Sequence, residues 1–218
     1  MVRINLPKTT IVKQYSNVLL FCLYSFMTNK ITNLKSVCSI GVFFFVLSYI
    51  MFALGSKLTY FQTPIDFAHW FNLIGAVLLF SFNKVLPKNK LNTVASVLTT
   101  LGILAHVGLC TIDFIMWSFE DDDTARIALS EHISNTPSIL YPFIIIGPSL
   151  LFVGLAAHAI NFIKTNTISS LLVIIGAPAV GFSFFILKNG TYMVISCILF
   201  ALGLILLLYR KENPALTE

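Results

Sequence analysis

Three short patterns in this 218-residue chain gather side chains that can exchange protons or hold a cation. The first is Asp66 with His69, three positions apart. On a helix that spacing shares a face, so carboxylate and imidazole can meet. The second is a stripe of Ser96, Thr99, Gly102, His106, Cys110, Asp113 and Trp117. Steps of three and four line one helical face. The third runs Gly147, Leu151, Gly154, His158 and Asn161.

Three kinds of chemistry fit these patterns. Asp66, His69 and Asp113, with His106 or His132 added, would offer nitrogen and oxygen donors that suit zinc. A metal there would activate water for a membrane-embedded hydrolase. No HExxH or HxxxH spacing is present, so the pattern names no metalloenzyme class. Alternatively, Asp66, His69, His106, Asp113 and His158 are protonatable groups at several depths, as a proton or solute pathway requires. Ser96, Thr99 and Asn161 would be its remaining polar lining. The third reading is interhelical adhesion, worth roughly 0.6 to 2 kcal/mol per polar pair in a membrane. Haem is not expected: axial histidines must share one depth, whereas His106 and His158 are offset by roughly 10 to 15 Å at helical rise.

The elements that hold these residues are membrane helices. Hydrophobic types make up 57 % of the chain and charged types 11 %. A soluble domain carries roughly 25 % charge, so this chain lacks the polar surface to face water all round. The mean hydropathy of +0.88 agrees. A spanning helix needs about 20 mostly apolar residues. Six segments qualify, at about 36–54, 65–82, 91–119, 139–163, 168–187 and 191–209. They predict an all-α bundle of six transmembrane helices. The run at 91–119 is longest and should tilt or project.

Orientation follows from Lys and Arg, which concentrate on the cytoplasmic side. With the N-terminus inside, eleven of the fourteen basic residues fall inside, leaving Lys57, Arg126 and Lys188 outside. Both termini are therefore expected in the cytoplasm, with 1–35 as an N-terminal segment and 210–218 as a tail. Ser16 to Met27 is apolar but short, and reads as an interfacial helix, with a seventh span the alternative. The net charge of +5 belongs to this topology signal and not to nucleic acid. Cys22, Cys38, Cys110 and Cys197 lie in apolar runs without CxxC spacing and read as buried free thiols. At the outer face, Glu120, Asp121, Asp122 and Asp123 open a loop that reads as a solvated helix end.

Gly147, Pro148, Gly154, Gly176, Pro178 and Gly181 mark expected kinks or close helix crossings. Ile74-Gly75-Ala76 and Ile175-Gly176-Ala177, each followed by Phe-Ser-Phe, hint at an inverted repeat of the kind seen in transporters. The reading taken forward is a multi-pass protein of the cell membrane, of bacterial inner-membrane type. It is transporter-like or channel-like, with a polar interior lined by the third span. A metal-dependent enzyme and an assembly partner are the alternatives. Its expected partners are the bilayer, a small solute or proton, and a second copy of the chain. No cofactor is expected, zinc being the one the donor set would admit.

Overall fold

A computed structural model describes residues 32–55, 65–87, 89–119 and 122–210. The segment Ser16 to Met27, Cys22, Lys57 and the tail beyond Arg210 lie outside the described residues. All regular structure among those described is helical. We number the helices α1 (Thr32–Leu54), α2 (Phe67–Leu79), α3 (Phe82–Val85), α4 (Lys90–Ser118), α5 (Asp123–Ser134), α6 (Pro137–Ile160), α7 (Thr167–Leu187) and α8 (Gly190–Leu208). Five of them, α1, α4, α6, α7 and α8, are long and apolar enough to cross a membrane. The chain is thus a multi-span helical membrane protein. Apolar side chains such as Ile195, Leu199, Leu202 and Leu206 point outward along α8, as lipid-facing surface does.

The segment predicted as one span at 65–82 differs from expectation. Its helix α2 covers 13 residues, roughly 20 Å at 1.5 Å per residue, against a hydrocarbon core of about 30 Å. At its end the N–H groups of Phe80 and Ser81 bond three residues back, to Val77 and Leu78, and tighten the last turn. The chain then re-enters a helix as α3, where Asn83 reaches across to the Ser96 carbonyl and the Thr100 hydroxyl of α4. Pro87 follows and ends the segment.

Neighbouring helices run antiparallel, and glycines set the closest approaches. A Cβ on Gly102 would lie 2.1 Å from the Leu151 nitrogen of α6, and one on Gly154 would lie 2.4 Å from Thr99 Oγ1 of α4. One index rises as the other falls, which fixes the α4–α6 pair as antiparallel. Gly75 sits against Phe45 of α1, and Gly176 against Phe200 of α8. The two Ile-Gly-Ala segments therefore do the same job, admitting the backbone of a buried phenylalanine. An inverted repeat pairing α2 with α7 would place Gly176 on α6; it packs on α8 instead. Cys38, Cys110 and Cys197 are free and buried, as expected for an apolar interior.

The break expected at Gly147-Pro148 is a π-helical turn, Leu140–Ile145, directly before it. The Ile146 N–H bonds the Tyr141 carbonyl, five residues back. Pro148 has no N–H for the carbonyl four residues earlier, which helps displace the ladder here. A second π turn, Ser183–Leu187, ends α7 and stops at Lys188, whose φ of 46° is left-handed. Asn189 then caps α8 by accepting from the N–H groups of Thr191 and Tyr192.

Candidate functional site

Asp66 begins the site because of where it stands. It is the N-cap of α2, and its carboxylate accepts the His69 N–H at 3.2 Å, the usual role of aspartate at that position. The same carboxylate meets the His69 ring: Asp66 Oδ2 is paired with Nδ1. From α4, Asp113 Oδ2 approaches the other ring nitrogen, Nε2, at 3.1 Å. The imidazole thus lies between two carboxylates. One proton in each of the two contacts satisfies the chain, either as an imidazolium between two carboxylates or as a neutral imidazole accepting from a protonated carboxyl, and both arrangements carry one net negative charge.

This chain forms part of the wall of a cavity of about 770 Å³. Most of the wall is apolar, with Phe52, Phe152, Phe184 and Phe185 among the lining side chains. Its polar groups include His69, Asp113, Asn72, His106 and Tyr49. The wall contains both interior and surface residues. His106 is 2 % exposed, whereas Val153 of α6 is 51 % and Phe184 of α7 is 58 % exposed. Exposed apolar residues of α6 and α7 thus share one cavity with the buried face of α4. Both π turns contribute to it, through Ile144 and through Phe184 and Phe185. Turns of this kind recur at functional sites.

Three of the four expected zinc ligands do meet, but as a hydrogen-bonded chain. Both nitrogens of His69 already face carboxylates, so zinc would have to break one pairing and remove a proton. His106 does not join them; its Nδ1 faces the Gly102 carbonyl at 3.0 Å in its own helix. His132 lies on exposed α5 and does not fold down. Among the described residues no three His, Cys, Asp or Glu side chains are grouped to hold a metal. The donor set does not fit zinc. Nor do His106 and His158 face each other as axial haem ligands, since each is bonded within a different region.

The long stripe on α4 splits in two. His106, Cys110 and Asp113 line the cavity, whereas Thr99 and Gly102 are packed directly on α6. Thr99 donates to Ala95 of its own helix. Trp117 is half-buried and is not part of the cavity wall, and Ser96 contributes its carbonyl to Asn83. The polar interior expected along the third span is therefore interrupted by close packing. Gly181, expected at a tight crossing, has nothing within 4 Å of a Cβ placed on it. It lines the cavity instead, beside Pro178.

At the opposite end of α4 and α6 is a second cluster. His158 Nδ1 meets Asn92 Oδ1 at 2.8 Å and Nε2 meets Asn83 Oδ1 at 3.1 Å. Asn161 donates to Asn92 Oδ1 at 2.6 Å and accepts from Asn89 at 2.9 Å. His158 and Asn161 were legible as a stripe; the three asparagines from α3 and the start of α4 were not. Between the two clusters a thread of bonds joins Cys110 to Asn72 and Asn72 to Ser48, tying α4, α2 and α1.

Comparison with protein-family models, with characterised proteins and with solved structures found no match.

Proposed function

We propose that this protein takes a small, largely apolar molecule from the bilayer into the cavity beside α6 and α7, as a transporter-like carrier. The Asp66–His69–Asp113 chain is its proton-exchanging group. One observation carries the reading: a hydrogen-bonded His/Asp chain stands in the wall of a largely apolar cavity that also takes in exposed residues of α6 and α7. Ionisable groups are costly at that depth and are kept where they do chemistry or meet a solute. The volume is that of a site for a drug-sized molecule. The asparagine–histidine cluster packs α3, α4 and α6 together at the opposite end of the bundle, which supports access from one side.

Among the described residues, Lys35, Lys84, Lys90, Lys164 and Arg210 lie toward the closed end, and Arg126 and Lys188 toward the cavity end. The bias supports a cytoplasmic closed end and an outward cavity. The enzyme alternative lacks support at the same site, where each carboxylate is spent on one imidazole and no metal set is present among the described residues.

Native mass spectrometry of the protein released from membranes tests the reading. A small lipophilic molecule at about one per chain is expected in the wild type and is expected to be lost in Gly181→Phe. A Cβ at this position meets no atom within 4 Å, and the position lines the cavity. Equal retention in both would refute the cavity as the site.

A further inference from the structure

The polar atoms of the cavity wall say what kind of molecule belongs there, given the proposed cavity site. With one proton in each of its two contacts, the Asp66–His69–Asp113 chain carries one net negative charge. Among the described lining residues there is no Lys or Arg to balance it. An unbalanced charge beside apolar walls is costly, and a cation brought by the ligand would relieve that cost. Asp113 is 29 % exposed and Asp66 is 4 % exposed, so Asp113 is the carboxylate within reach.

A second group points the same way. His106 donates from Nδ1 to the Gly102 carbonyl, which leaves Nε2 as an acceptor. This nitrogen has no protein partner among the described residues, on a side chain that is 98 % buried and lines the cavity. It lies seven residues from Asp113 along α4, roughly 10 Å deeper at helical rise. Asp113 and His106 Nε2 are thus two acceptors on one face of α4, the carboxylate the shallower, and they share the cavity with the Tyr49 hydroxyl and the Asn72 amide. The aromatic rings of Phe52, Phe184 and Phe185 suit a cation near the mouth and an alkyl or aryl body below it.

We infer that the ligand is a cationic amphiphile: an ammonium head on Asp113, an apolar body reaching past Phe152 toward His106, and access from the bilayer between α6 and α7. An anionic amphiphile of the same length is excluded by the charge of the wall. A neutral one gains the apolar contacts only.

Three probes of equal chain length separate these cases: dodecylamine, dodecanol and dodecanoate, each titrated against the wild-type protein in a neutral maltoside detergent and read by native mass spectrometry. Dodecylamine is expected to bind at one per chain, at least about tenfold tighter than dodecanol, a difference of about 1.4 kcal/mol. Dodecanoate is expected not to bind. Asp113→Asn should remove the preference for the amine while leaving dodecanol binding in place. The three-probe ranking in the wild type needs no variant, so a misfolded variant does not blunt the test. Adding phosphatidylethanolamine as competitor distinguishes a lipid ammonium from a free amine as the source of the head. Equal binding of all three probes, abolished by Gly181→Phe, would overturn the cationic preference and leave the cavity reading standing. Binding of none would overturn both.

Discussion

The two histidine clusters sit at opposite ends of α4, and they are built from different partners. His69 lies between two carboxylates, is 25 % exposed, and borders a cavity. His158 lies between two asparagine amides, is 1 % exposed, and lies in close-packed structure. Charge is placed where there is room for water, a proton or a ligand to answer it. Neutral amides are placed where the helices close. A buried polar network of asparagine amides and one histidine fixes how α3, α4 and α6 meet. The same residue type thus carries a functional group at one end and a clasp at the other.

Substitutions can break this comparison, and their effects should fall in a definite order. The largest is expected at the packing between the clusters. Gly102→Ala drives a methyl into the Leu151 backbone, which no rotamer change relieves. Overpacking of this kind costs typically 1 to 3 kcal/mol, and a loss of about 3 kcal/mol is expected in reversible unfolding from bicelles. A loss under about 1 kcal/mol would mean that α4 and α6 are not in this contact. Next comes His158→Leu, which leaves Asn83 and Asn92 without their imidazole partner. About 2 kcal/mol of destabilisation is expected by the same assay, with ligand binding at the cavity retained.

Asp113→Asn should invert that profile. It keeps an oxygen for His69 but removes the charge, so a change of about 1 kcal/mol or less in stability is expected, with the preference for a cationic ligand lost. If Asp113→Asn were as destabilising as His158→Leu and left binding unchanged, the two clusters would be two clasps. The smallest effect is expected at Gly181→Ala. Replacing a helical glycine where nothing stands within 4 Å should stabilise slightly, by about 0.5 to 1 kcal/mol, as read by the unfolding midpoint.

Much of the framework was legible in sequence because its causes are local. Apolar runs of the needed length gave the long helices, and steps of three and four placed His106, Cys110 and Asp113 on one face. The pairing of Asp66 with His69 followed from spacing, and Asp113 was grouped with them by its chemistry. What escaped depends on neighbours that are distant in the chain. Gly102 and Gly181 are the same residue in equally apolar helices, yet one faces the backbone of Leu151 and the other faces empty space. Phe52, Phe152 and Phe184 stand on α1, α6 and α7, and nothing local marks them as walls of one cavity. Asn83 looked like the end of a span, and its bonds to α4 and to His158 are what end it there. Zinc stayed open as an alternative in the sequence because a carboxylate–histidine cluster and a metal site share residue types. They differ only in which atoms are already bonded.

The most direct test of the central claim asks whether molecules from the bilayer reach the buried face of α4. Photolysis of a membrane-partitioned aliphatic diazirine, followed by peptide mapping, reads this without a known ligand. Labelling is expected on the segment from His106 to Met116, including the otherwise buried Cys110. It should be competed by dodecylamine and abolished in Gly181→Phe. Labelling confined to the outward residues of α8 and the other lipid-facing surfaces, with that segment unmarked, would contradict the account.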